Sequence, residues 1–290
     1  TIIIQNIGNG SSDNGIDVRT TFNNNGTITV NSTTDDGVVV FGGATFNNNS
    51  GATLTLNNVG DGSGDWGLYI DSGGTASTFN NDGTVTINNG NDDAVRLETG
   101  ILNNNATGMI DINTPPDLGI SILRLGDLNN AGSIDVSGAV ARYGIELFND
   151  SQAATLDNLN GGTITITSSN QDGLRVDNGT TLNNDGTLAI NGSGTQDINV
   201  INGATFSNTT NGVFSPGTSP GTMSITGDMN FGSSAYNCEI NGTTASTQYD
   251  VITVSGTGTI VNGSSKLNLT FGFEAAVNNT FDIMTAGTIS

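Results

Sequence analysis

Short runs in which apolar and polar residues alternate recur along nearly the whole chain, each bounded by Gly, Asn or Asp. Thr27-Ile28-Thr29-Val30 is one of them. Alternation with a period of two, built from β-branched residues, is the pattern of a strand with one buried face. A second regularity overlies the first. A phrase close to Phe-Asn-Asn or Leu-Asn-Asn begins at Phe22, Phe46, Phe79, Leu102, Leu128, Leu156, Leu182 and Phe206, with gaps of 24, 33, 23, 26, 28, 26 and 24 residues. A strand-and-turn unit repeated at such intervals buries its apolar face only by stacking on its neighbours, so the chain reads as a solenoid.

Each repeat divides into three strands. The first would turn inward Ile28 and Val30, Leu54 and Leu56, Val85 and Ile87, Ile110 and Ile112, Ile134 and Val136, Ile164 and Ile166, Leu188 and Ile190. The second, after an Asp/Gly-rich turn, would turn inward Val38 and Val40, Leu68 and Ile70, Val95 and Leu97, Leu123 and Leu125, Ile145 and Leu147, Leu174 and Val176, Ile198 and Val200. The third is the Phe/Leu-Asn-Asn phrase itself. The fold expected is all-β: a right-handed parallel β-helix, a three-sided β-solenoid of about ten to eleven coils. At a strand spacing of about 4.8 Å this is a rod on the order of 50 Å long.

If the Phe or Leu of each phrase is buried, the second Asn faces inward as well. Asn24, Asn48, Asn81, Asn104, Asn130, Asn158, Asn184 and Asn208 are therefore expected to form a ladder, since an amide both donates and accepts and can satisfy its counterpart in the next coil. Gly26, Gly83, Gly132 and Gly186 would take the positive φ of a tight corner. Outward from the second strands the column reads Asp17, Val39, Tyr69, Arg96, Arg124, Glu146, Arg175, Asn199, which predicts a surface ion-pair stack of Arg124, Glu146 and Arg175.

Charge narrows the partners. The formal net charge is −21, with six basic residues against twenty-seven acids, so nucleic acid is not an expected partner. The lone Cys238 rules out an internal disulfide and a Cys-rich zinc site, and the chain has no His. No apolar stretch is long enough to span a bilayer, and the opening Thr1-Ile2-Ile3-Ile4 is not a signal peptide.

Candidate chemistry is sparse. Asp35-Asp36 and Asp92-Asp93 are the nearest approach to a paired-carboxylate site for a polysaccharide-active enzyme, yet they stand where turn Asp is expected and no basic cluster accompanies them. Asp61, Ser63 and Asp65, in an insertion that lengthens its repeat to 33 residues, alternate oxygen ligands as calcium loops do, but without the bidentate Glu that closes such loops. Calcium is thus the one cofactor the sequence raises, against a plain solvated loop. Thr-X-Thr triplets such as Thr27/Thr29 and Thr84/Thr86 suggest ice binding, but Met109/Asp111 and Ser133/Asp135 interrupt the array.

From Phe214 the pattern changes, dividing the chain into Asn/Gly/Thr-rich repeats at 1–213 and a distinct stretch at 214–290 that continues the solenoid. The order SPGTSPGT, MSITGDMNF, TQYDVITVSGTGTI, KLNLTF and TFDIMTA resembles the passenger-end segment of bacterial autotransporters and related surface β-helix adhesins. The resemblance implies secretion to the cell surface and a β-helical passenger; the outer-membrane barrel that normally follows in that family is not in this sequence. The function expected is a non-enzymatic, extracellular or bacterial cell-surface adhesin or structural stalk, its partner a host, glycan or surface ligand. The alternative is a filament subunit, since Ile2 to Ile4 and Phe281 to Met284 present strand-like patterns at the two ends and would permit end-to-end self-association.

Overall fold

The computed structural model describes residues 1–8, 13–90, 92–138, 140–216, 220–259 and 264–289. Part of the SPGTSPGT motif, 217–219, and the last residue of TQYDVITVSGTGTI lie outside them. The described residues contain no helix; strands wind into a three-sided parallel β-helix. One face stacks eleven strands in chain order, from Ile2–Ile7 to Lys266–Phe271. The second runs from Ile16–Val18 to Met284–Ile289 and the third from Thr21–Asn24 to Met229–Asn230. The strand Val251–Thr259 joins these two faces, pairing through Val251 to Val254 with Thr222 to Ile225 and through Gly258 with Met229.

Equivalent residues lie directly over one another. Ile28 pairs with Leu54, Leu54 with Val85, Val85 with Ile110 and Ile110 with Ile134. Their side chains form one fully buried column, and Phe46, Phe79, Leu102, Leu128 and Leu156 form another on the third face. The Phe22, Phe46 and Phe79 rings stack at centroid separations of 4.9 and 4.8 Å, the strand spacing itself. A slip of one residue would expose every one of these groups, so burial fixes the register. At about 1.5–3 kcal/mol for each large apolar side chain buried, these columns outweigh any surface contact.

The fifth second-face strand departs from expectation. Val95 pairs with Ile120 and Leu97 with Ile122, so Ile120 and Ile122 point inward. Leu123 is only half-buried and Leu125 is 52% exposed. Ser121 takes the outward place in register with Arg96 and Glu146, and Arg124 falls beyond the column, at a φ of 53°. At the carboxyl end the strand begins at Met284, and Phe281 and Ile283 precede it, packed partly on the core.

The corners that follow the inward asparagines alternate strictly in length. Two residues join Asn24 to Thr27, Asn81 to Thr84, Asn130 to Ser133 and Asn184 to Thr187; four join Asn48 to Thr53, Asn104 to Met109, Asn158 to Thr163 and Asn208 to Val213. Each long corner closes on itself, as in the bond from Gly108 N to Asn105 O of 2.7 Å. It also folds over the short corner beneath: Asn105 Nδ2 donates to Asp82 Oδ2 at 2.9 Å, and Thr209 Oγ1 to Asp185 Oδ1 at 2.6 Å. On this side the structural unit is therefore a pair of coils.

The short-corner glycines are not in the left-handed region expected for them. Gly83, Gly132 and Gly186 are glycine because of what lies against them. A Cβ at Gly132 would sit inside van der Waals contact of Gly108 O and Asn105 O and 2.9 Å from Asn104 Nδ2, whereas at Gly26 it would meet nothing within 4 Å. Gly132→Ala is accordingly expected to destabilise the fold by about 1–3 kcal/mol, the range for overpacking against atoms that cannot move aside. Gly26→Ala, at the same place in the motif, should be close to neutral. Urea unfolding midpoints of the two variants decide this, and equal midpoints would restore a conformational explanation.

Candidate functional site

The inward asparagines are consecutive rungs. Asn24 Nδ2 donates to Asn48 Oδ1, Asn48 to Asn81, Asn81 to Asn104, Asn104 to Asn130 and Asn130 to Asn158, each at 2.8 Å; Asn158 to Asn184 and Asn184 to Asn208 follow at 2.7 and 2.6 Å. The second amide hydrogen is used too. It goes to the carbonyl that opens the next first-face strand, as from Asn104 to Ser133 O at 3.0 Å and Asn158 to Thr187 O at 3.0 Å. The rungs from Asn24 to Asn158 thus pin the corner of their own coil to the coil above. The ladder stops at Asn208, whose Nδ2 is buried without a partner, because Phe231, not an amide, follows in the next coil. A solvent-side series of Asn23, Asn47, Asn80, Asn103 and Asn129 runs in parallel, with bonds of 2.7 to 3.1 Å.

The insertion carrying Asp61, Ser63 and Asp65 is held by its own backbone. Asp65 Oδ2 accepts from the amides of Asp61 at 3.0 Å and Gly62 at 2.6 Å, while Asp61 and Ser63 face solvent. Asp65 is thus engaged as a turn acceptor. The loop also leans on the next coil, Gly64 N donating to Asp92 Oδ2 at 2.7 Å, and on the previous one through the bond from Trp66 N to Asp36 Oδ1 at 2.7 Å.

The structure assembles a different carboxylate group from two coils. Asp92, Asp93 and Asp117 each bring one oxygen within 4.8 Å of the others. All three are engaged already: Asp92 by Gly64 N, Asp93 by the Ser121 hydroxyl and by Arg96, Asp117 by Arg142 Nη1 at 3.0 Å. Burial pushes the Asp93 carboxyl up to about 7, opposed by the Ser121 hydrogen bond and reinforced by Asp92. Asp36, two coils away in the same column, is likewise pushed up to about 7 by burial, against the Trp66 amide and with help from Asp35 and Asp65. Asp117 was not recognisable as a member of this group from sequence, since the long turn through Pro115 and Pro116 hides its place in the column.

Along the outward side of the second face the arginines are all paired with acids. Arg19 bonds Asp17, Arg96 bonds Glu98 at 2.6 Å, Arg124 bridges Glu98 at 2.9 Å and Asp150 at 3.2 Å, Arg142 bonds Asp117 and Arg175 bonds Asp177 at 2.7 Å. Arg175 also approaches Glu146 at 3.6 Å; the expected stack of three lacks Arg124. Aromatic rings interleave, with the Arg96 guanidinium 4.7 Å over Trp66 and both Arg142 and Arg175 over Tyr143. With every arginine engaged by an acid, this surface offers no free basic stripe for a polyanion.

Among the described residues no helix is long and apolar enough to cross a membrane. No family model matches the chain, and no curated protein does. Among solved structures it is similar to a TibC-catalysed hyper-glycosylated TibA fragment, at 18% identity over 99% of this chain and 94% of that one, with a TM-score of 0.28.

Proposed function

We propose that the chain is a non-enzymatic, secreted or bacterial surface-displayed β-helical adhesin or stalk. The observation that carries this is the uninterrupted stacking of equivalent residues through eleven strands of one face, tied at one corner by a buried amide ladder. Such a body resists bending and projects whatever its outer surface carries. The passenger-like order of motifs in 214–289 supports a surface location, and the strongly acidic exterior suits an extended protein that must not stick to its own copies. A screen over acidic and neutral polysaccharides is expected to detect no cleavage products; turnover of any of them would overturn the reading. Plate-binding to host-cell and glycan surfaces is the matching positive assay.

A second reading, a filament subunit, is favoured by one observation. The last first-face strand leaves its inward column uncovered, with Leu267 50%, Leu269 44% and Phe271 55% exposed, and Ile2 is 50% exposed at the other end. A parallel edge of this kind accepts a further coil. Negative-stain images at several concentrations separate the two: growing polymers support the filament, short single rods the stalk.

A further inference from the structure

The corner between the second and third faces changes length from coil to coil, and this carves a trough. Seven residues, 71–77, separate Ile70 from Thr78, and seven, 148–154, separate Leu147 from Thr155. Between these two projecting corners lie two short ones: 98–100 between Leu97 and Ile101, and 123–126 between Ile122 and Asp127. The result is a depression of about 580 Å³, walled by Ser72, Ala76, Gln152 and Ala153.

Its floor breaks the composition of the whole face. Along the first eight third-face strands the residue that opens the strand and points outward is Thr at 21, 45, 78, 155, 181 and 205; the two exceptions among these are Ile101 and Asp127, paired in register with each other. Leu125, 52% exposed, lies beside them. Thr is the ordinary solvent-facing choice on a strand, and on the floor of this trough an aliphatic and an acidic residue stand in its place. Asp127 has no basic partner: Arg124, on the same corner, is held by Glu98 and Asp150, and the groups acting on the Asp127 carboxyl are the Thr155 side chain and the like charge of Asp157. An unneutralised carboxylate beside apolar surface complements a cation on an aliphatic stem. No residue lining the trough is aromatic, so the stacking platform that a sugar ring favours is missing.

We propose that this trough docks a basic peptide segment, with aliphatic surface on Ile101 and Leu125 and a Lys or Arg head on Asp127. The proposal goes beyond the stalk reading and its failure would leave that reading intact, because a stalk needs no such trough. The test is calorimetric titration of the whole chain with a capped pentapeptide alternating Leu and Lys, beside its Leu/Glu counterpart and a neutral oligosaccharide. Saturable binding of the basic peptide alone is expected. Asp127→Asn should weaken it about tenfold and Leu125→Ser about threefold, with thermal midpoints unchanged, whereas Asp61→Asn, removing an exposed charge elsewhere, should leave it as it was. Equal weakening by Asp61→Asn would mean diffuse attraction to an acidic rod and would overturn the proposal. So would binding of the acidic peptide or the oligosaccharide in the trough, or no saturable binding at all.

Discussion

Replacing the middle rung of the buried ladder, Asn104→Ala, is expected to destabilise the fold by about 3–5 kcal/mol, more than the removal of any one surface ion pair. The magnitude follows from counting what is orphaned. Asn130 Oδ1 loses its donor, Ser133 O loses a side-chain partner and Asn81 Nδ2 loses its acceptor, keeping only Met109 O at 3.1 Å. The buried acceptors cannot turn to water, so each costs about 1–3 kcal/mol, and the vacated volume adds a cavity term. Two comparisons separate this explanation from a general sensitivity of the corner. Asn208→Ala removes a rung whose Nδ2 has no partner and which only accepts from Asn184, so it should cost less than half as much. Asn103→Ala, one residue away in a part-exposed series, should cost under about 1 kcal/mol because water replaces what is lost. Chemical-unfolding midpoints of the three variants give the order directly. If Asn103→Ala proves as damaging as Asn104→Ala, inward and outward amides are equivalent and the ladder is not what ties the coils together.

What could and could not be read from the sequence has a common physical cause. Inward positions such as Ile28, Val30, Leu54 and Leu56 were legible because one buried face imposes a period of two. The fifth second-face strand failed for the same reason: Ile120/Ile122 and Leu123/Leu125 both satisfy the period, so alternation alone could not choose. The signal that chooses was nevertheless present. Gly37, Gly67, Gly119, Gly144 and Gly173 each precede the inward pair, and a Cβ on any of them would collide with a backbone carbonyl of the next coil. Gly119 thereby selects Ile120 and Ile122. The same close approach explains Gly132, where a turn rule suggested positive φ and packing decided otherwise. The two-coil rhythm of the ladder corners was also written in the spacing from each Asn to the next strand, masked by larger length changes elsewhere in the coil. The trough was not legible, since it depends on which corners recede beside which, a relation between residues 71–77 and 148–154 that exists only once the coils are stacked.

Acidification is expected to stabilise this protein, with unfolding resistance higher near pH 5 than near pH 8. Asp36 and Asp93 are both pushed up to about 7, by burial first and then by neighbouring carboxylates, whereas an unfolded chain would titrate them near about 4. Between those values the folded chain holds protons that the unfolded chain has released, so stability is gained as pH falls through 7 and the gain is complete below about 4. Burial likewise raises Asp35, Asp135 and Asp197, and Asp111 opposes ionisation of Asp135 across the strand pair. Two groups run the other way, Asp150 beside Arg124 and Asp185 under the Thr209 hydroxyl, but both are near the surface, where screening leaves them little weight. With three pH units equivalent to about 4 kcal/mol for a single isolated group, and part of that absorbed by relaxation and water, a net gain of roughly 2–4 kcal/mol from pH 8 to pH 5 is expected. Asp93→Asn supplies the control. An amide keeps an oxygen for the Ser121 hydroxyl while removing the buried charge, so the variant should be more stable than the parent at pH 8, indistinguishable from it at pH 5, and flatter in between. Thermal midpoints across the range test both statements. A parent that is more stable at pH 8, or an Asp93→Asn variant with an unchanged slope, would show that the Asp93 carboxyl is ionised at no cost and that the crowding of acids at this corner is relieved in another way.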